Sequence, residues 1–204
     1  MTTEFREFAK IPRLFRDAVI TEKLDGTNGC VLIEQWVNPP GNGEVEDKSL
    51  CIYSEKLDRF FSITAGSRKK WITPQEDNYG FARWVWEHAL ELVEGLGEGV
   101  HHGEWWGQGI QRGYGLKEKR FSLFNASKWN ESNRPACCHV VPVLYSGPFN
   151  TEIASVQMGR LANIGSFAAP GYMNPEGIIV FHVAGNVLFK ATIENDGIPK
   201  GSIK

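Results

Sequence analysis

Alternating apolar and polar runs, bounded by turn residues, dominate this chain, and they do not take turns with helices. The runs fall at 29–36, 50–54, 60–67, 100–105, 121–126, 140–145, 177–184 and 186–192, the last two either side of a tight Gly185-Asn186 turn. Two stretches carry helical periodicity instead. The first opens after Thr73-Pro74 and covers 78–94, with Phe81, Trp84, Val85, His88 and Leu92 on one face; the second starts at Thr151-Glu152 and reaches 162. A doubly wound parallel sheet needs a helix between successive strands, so this order predicts an α+β fold with antiparallel sheets. Asn38-Pro39-Pro40-Gly41-Asn42-Gly43 reads as a loop between the first two runs. With 204 residues, 42% of them hydrophobic, the chain can bury one sizeable core divided at most by a cleft, and a single domain over 1–204 is expected.

The formal net charge of −2 leaves any polyanion to be met by a local basic patch, for which Arg68-Lys69-Lys70 and the stretch 117–120 are the candidates. Trp105, Trp106 and Tyr114 interleave with Arg112, Lys117, Lys119 and Arg120, a composition suited to base stacking and phosphate contact. Cys30, Cys51, Cys137 and Cys138 have no C-x-x-C spacing, which predicts free thiols and a reducing, cytoplasmic setting. No apolar run approaches the roughly 18 residues of a membrane span. His88 and His182 read as structural, and His101-His102 point in opposite directions on a strand, with no partner at metal-ligand spacing.

Five short blocks occur in one order. Lys23-Leu24-Asp25-Gly26-Thr27-Asn28 has the spacing K-x-D-G-x-N; Gly103-Glu104-Trp105-Trp106-Gly107 follows, then Phe121-Ser122-Leu123-Phe124-Asn125, Pro175-Glu176-Gly177-Ile178-Ile179-Val180, and Val187-Leu188-Phe189-Lys190. Together they resemble the nucleotidyltransferase domain of ATP-dependent polynucleotide ligases, and within it the RNA ligase 2-like, phage-type branch. The resemblance runs from about Thr21 to Lys190.

That resemblance implies an ATP-grasp-like nucleotidyltransferase domain, with two antiparallel sheets flanked by helices and a nucleotide cleft between them. It implies ATP and Mg²⁺ or Mn²⁺ as cofactors, and a nucleic acid, RNA favoured, with 5′-phosphate and 3′-hydroxyl ends as partner. Lys23 would be the covalent nucleophile and Lys190 the second catalytic cation. Glu22 would read the adenine edge, Asn28 would contact the nucleotide, Glu104 would hold the ribose, Phe124 would stack on the purine with Ile179 opposite, Arg68 would lie near the ribose and the nucleic-acid end, with Arg59 and Lys56 as alternatives, and Glu176 would hold the metal. Phe121 and Phe124 fall on opposite sides of a strand, so only one of them can stack.

A lysine with a reference pKa of about 10.4 attacks phosphorus only as the free amine, so burial or neighbouring cations such as Lys190 and a divalent ion must favour its neutral form. In two places the chain departs from the family pattern. Lys190-Ala191-Thr192 lacks the second of two alternate lysines, and Phe181-His182 stands where a basic residue is common. Fourteen residues follow Lys190, so no separate C-terminal domain is expected and an accessory protein would take its place. Two other readings share parts of the pattern: a GTP-using capping-type enzyme, since K-x-D-G is common to both, and a non-catalytic module that binds nucleic-acid ends.

Overall fold

A computed structural model describes residues 4–38, 48–194 and 196, so the predicted loop at 39–43 lies outside the described residues. The strands are β1 (Asp17–Lys23), β2 (Thr27–Trp36), β3 (Ser49–Ser54), β4 (Arg59–Ser67), β5 (Trp71–Ile72), β6 (Gly99–Gly107), β7 (Lys119–Leu123), β8 (Cys138–Val140), β9 (Val143–Pro148), β10 (Gly177–His182) and β11 (Val187–Thr192). Among the described residues three helices join them: α1 (Phe81–Glu87), α2 (Ala89–Leu96) and α3 (Thr151–Ile164).

The strands form two sheets, one ordered β11-β10-β1-β9 and a larger one ordered β3-β4-β2-β6-β7-β8, with β5 on β4. This is the expected α+β architecture with one difference, a parallel β7–β8 pair in an otherwise antiparallel arrangement. In β2, Val31 and Ile33 are fully buried while Glu34 is exposed, as period-two alternation requires. That buried face packs on α1 and α2 through Phe81, Val85, Leu92 and Val93, with Trp105, Phe121 and Leu123 from the neighbouring strands. On the small sheet, Ala18, Ile20, Ile178 and Val180 pack on Leu161 of α3. Between the sheets lies a third cluster of Leu24, Trp106, Tyr114, Val141 and Ala169.

Four boundaries differ from the sequence expectation. The predicted helix over 78–94 is two helices, because His88 leaves helical geometry at φ −107° and ψ 15° and its ring Nδ1 contacts the Trp84 carbonyl at 2.9 Å. It also starts at Phe81, where Asp77 takes up the backbone N–H groups of Asn78, Ala82 and Arg83. The run at 121–126 ends as a strand at Leu123. The run at 140–145 is split at Val141-Pro142, where the chain leaves the large sheet after β8 and joins the small one as β9. The sequence reading also missed β1, the strand that carries Lys23. α3 is as expected, capped by Asn150, whose side chain accepts from the Ile153 N–H at 2.8 Å. Among the described residues no helix is long and apolar enough to cross a membrane. All four cysteines are free.

Candidate active site

The K-x-D-G-x-N stretch forms the corner between the two sheets. Lys23 is the last residue of β1 in the small sheet and Asn28 the second of β2 in the large one, with Leu24-Asp25-Gly26 turning between them. Gly26 is required there by close approach. A Cβ built on it would fall 2.4 Å from the Trp105 carbonyl oxygen and 2.7 Å from the Trp106 Cβ, so any side chain would push β6 away.

Strand alternation then sorts the side chains. In the large sheet, Asn28 pairs with Glu104 and Glu104 with Ser122, so the three share the face opposite α1 and α2. Trp106 has the same parity and donates its indole N–H to Ser122 Oγ at 2.9 Å. Phe121, fully buried, lies on the helix side. Phe124, one step past β7 and 41% exposed, continues the parity of Ser122. In the small sheet, Lys190, Ile179 and Thr21 form one cross-strand row, and Thr192, Gly177 and Lys23 form the next row on the same face. Lys190 is exposed and Ile179 half-buried.

Lys23 Nζ forms an ion pair with Glu176, which immediately precedes β10; the two side chains are 18% and 3% exposed. Glu104 closes the other side of the corner, one carboxylate oxygen accepting from the Gly26 N–H at 3.0 Å and the other from Asn28 Nδ2 at 3.2 Å. Burial raises the Glu104 pKa from 4.5 to about 7 against the opposing pull of Lys23 and the Gly26 N–H, with Glu176 and Asp25 adding to the rise. The structure thus brings Lys23, Asn28, Glu104 and Glu176 together. Ile179 and Lys190 lie on the same sheet face as Lys23.

Arg68 stands outside that group, exposed beyond β4. It lines an open cavity of about 550 Å³ with Lys69, Lys70, Thr27 and Asn78, and this cavity shares Thr27, but not Lys23, with the corner. Glu22 is turned the other way, because neighbours on a strand project to opposite faces. Its carboxylate, 1% exposed, accepts from Ser166 Oγ at 2.6 Å and from the Phe167 and Ala168 N–H groups at 2.8 and 3.0 Å. Burial raises its pKa, and those three hydrogen bonds oppose the rise. Thr192 replaces the family's second lysine in the row of Lys23, with its hydroxyl donating to the Glu194 carbonyl at 2.8 Å.

The aromatic members of the interleaved stripe are buried and offer no stacking surface, while Lys117 and Lys119 are exposed. Trp105, Trp106 and Tyr114 are each at most 2% exposed. Lys119 is tied to the Tyr79 carbonyl at 2.6 Å and Arg120 to Glu118 at 2.6 Å. Arg112 reaches back to Asp25 at 3.1 Å. Sequence reading missed Asp25 in the corner and Arg112 and Tyr114 as its partners; only the place of Asp25 inside the motif signalled any of them. The two histidines do diverge, His101 being buried against the Gly97 carbonyl and His102 exposed.

Among the described residues no three His, Cys, Asp or Glu side chains are grouped closely enough to hold a metal ion by themselves. A hard ion such as Mg²⁺ is commonly held by one or two carboxylates together with substrate phosphates, and Glu176 beside Glu104 fits that donor set.

Several solved structures of a Naegleria gruberi RNA ligase share this fold. A mutant without ligand aligns at 20% identity and TM-score 0.52, over 87% of this chain and 49% of that one. A mutant with ATP and Mn aligns at 18% and 0.54 over 87% and 49%, and one with AMP and Mn at 18% and 0.54 over 88% and 50%. The present chain therefore spans about half the length of these relatives. No curated protein sequence matches it. The RNA ligase family matches residues 16–192, which takes in both sheets, the corner and every motif block, and the chain belongs to that family.

Proposed function

We propose that this chain is the adenylyltransferase domain of an ATP-dependent RNA ligase, and that Lys23 carries AMP as a phosphoramidate. The observation that carries this reading is the placement of Lys23. It sits at the end of β1 on the face between the sheets, aimed by a buried carboxylate and backed by the Glu104-Gly26-Asn28 hydrogen bonds.

The Lys23 amine attacks the α-phosphorus of ATP, the P–N bond forms and pyrophosphate leaves. AMP then passes to a 5′-phosphate end, and a 3′-hydroxyl attacks that end with release of AMP. Glu176 would hold a divalent ion with the nucleotide's phosphate oxygens, and when bound that ion neutralises phosphate charge. Lys23 attacks only as the free amine, so its ion pair with Glu176 must loosen first, and Glu176 keeps the amine aimed until then. Lys190 balances charge on the α-phosphate as pyrophosphate departs. Asn28 and Glu104 face the ribose, Phe124 and Ile179 come from opposite sheets to enclose the purine, and Arg68 lies toward the ribose and the nucleic-acid end. Glu22 supports the slot through the 166–168 segment. The free thiols support a reducing, cytoplasmic setting.

Intact-mass measurement after incubation with ATP and Mg²⁺ tests the reading. The parent is expected to gain one acid-labile AMP, and Lys23→Ala none. GTP outcompeting ATP would favour capping-type chemistry. A parent that binds broken RNA ends yet never gains a nucleotide would leave the non-catalytic end-binding module.

A further inference from the structure

We infer that Arg112 is a positioning residue for Lys23 and that the segment 107–116, through Arg112 and Tyr114, braces the catalytic corner from outside it. The inference rests on the adenylyltransferase reading.

A single guanidinium joins three of the segments that carry motif residues. Arg112 Nε donates to Asp25 Oδ2 at 3.1 Å, inside the corner and two residues from Lys23. One terminal nitrogen donates to the Asn174 carbonyl at 3.0 Å and to Asn174 Oδ1 at 2.7 Å, two residues before Glu176. The other lies 3.9 Å from Glu194, just beyond β11 and four residues after Lys190. The side chain is 21% exposed, so these contacts are partly shielded from water and salt. Arginine suits the task because its planar fork presents several donors in fixed directions, whereas a lysine offers one point charge.

Tyr114 adds an independent hold on the same turn, its hydroxyl accepting from the Asp25 N–H at 2.9 Å. Its ring, 2% exposed, meets Trp106 edge-on at 4.8 Å and packs on Tyr172 at 4.7 Å. Two side-chain-bearing residues of the segment, Gln111 at φ 45° and Tyr114 at φ 53°, hold the left-handed conformation that side chains disfavour. Such backbone persists where its surroundings over-determine it, and here the reward is that Arg112 and Tyr114 both meet Asp25. Ile110, fully buried in the helix-side core, anchors the segment at its root.

The chemistry needs this because Lys23 and Glu176 come from different segments. The β1–β10 ladder ends at the Lys23–Gly177 pair, and Arg112 carries the tie past that end by bonding Asp25 in the turn and Asn174 in the approach to β10. Loss of the brace lets the amine and its aiming carboxylate drift, and misplacement of about 1 Å costs about 100-fold in rate.

Single-turnover formation of the AMP adduct, measured without nucleic acid, tests the brace. Arg112→Gln is expected to slow it about 10- to 100-fold at saturating ATP, with the half-saturating ATP concentration nearly unchanged and Arg112→Lys falling between. A nucleic-acid contact at Arg112 predicts the opposite, adduct formation at the parental rate with only the later steps impaired. The second readout is amide hydrogen exchange of the Leu24-Asp25-Gly26 turn, followed by NMR, which is expected to speed up in Arg112→Gln as the turn loosens. Should Arg112→Gln not fold, Arg112→Lys carries both measurements. If the parent itself forms no adduct, the adenylyltransferase reading fails while the amide exchange of the turn still decides the brace. Parental adduct kinetics in the variant, or unchanged exchange of the turn amides, would overturn it.

Discussion

Glu104→Gln removes a carboxyl group that the fold protonates far more readily than water does. In the folded chain its pKa stands at about 7 against 4.5 for the free group, with burial as the main cause. Between those values the folded state binds the proton and the unfolded state does not, so stability must fall as pH rises. The contribution is fully present below about pH 4.5 and lost as pH climbs through about 7. A gap of about 2.5 units amounts to about 3 kcal/mol, of which roughly 2.5 kcal/mol falls between pH 5 and 8. Gln is a fair isostere, since its oxygen can serve the Gly26 N–H while the Asn28 amide turns over to accept from its NH₂. Urea unfolding of parent and variant at half-unit steps across that window measures the effect. The parent is expected to lose about 2–3 kcal/mol more than Glu104→Gln as pH rises. Parallel stability curves for the two proteins would refute the claim that a buried, half-titrated carboxylate backs the corner.

Two further outcomes follow from the geometry. Glu22→Ala strands the Ser166 hydroxyl and the Phe167 and Ala168 N–H groups in a buried site, for an expected loss of roughly 3 kcal/mol by chemical denaturation; a change under about 1 kcal/mol would contradict its anchoring role. Lys69→Glu with Lys70→Glu, beside the cavity lined by Arg68, is expected to weaken binding of single-stranded RNA and flatten its log affinity against log salt by about 1–1.5, while adduct formation stays parental; an unchanged salt slope would clear that patch of phosphate contact.

The sheets were legible where one face is buried and the other is not. β2 alternates from Val31 to Glu34 and β4 from Phe60 to Ile63, and the β10–β11 hairpin is announced by its Gly-Asn turn. β1 escaped for the opposite reason: Thr21 and Glu22 are buried, so a polar-looking end conceals a strand lying between the two sheets' cores. The kink at His88 escaped because the apolar period runs on through it, with Phe81 and Val85 before and Leu92 after all fully or almost fully buried. Pro142 was the overlooked break within 140–145, and in the structure its carbonyl, which lies off both strands, accepts the Glu22 N–H at 3.0 Å.

The site divides along the same physical line. Residues inside the motif blocks were recoverable because each block is local, and the sheets bring Asn28 opposite Glu104 by register alone. Arg112 was not recoverable, since its partners Asp25 and Asn174 lie 87 and 62 residues away and no period or spacing encodes such a contact. Glu22 is the most instructive case. The resemblance gave it and Lys23 to one nucleotide, yet adjacent residues on a strand must face opposite sides, and in β1 Glu22 pairs with Ile178 of the α3-side core while Lys23 pairs with Gly177. Lys23 therefore takes the cleft and Glu22 the interior. A carboxylate in that interior without partners would cost several kcal/mol, so the 166–168 segment has to come to it with its donors. The strand that presents Lys23 on one face is thus fixed in place by the acid on the other, and the Glu-Lys pair acts as one unit through opposite sides of the same backbone.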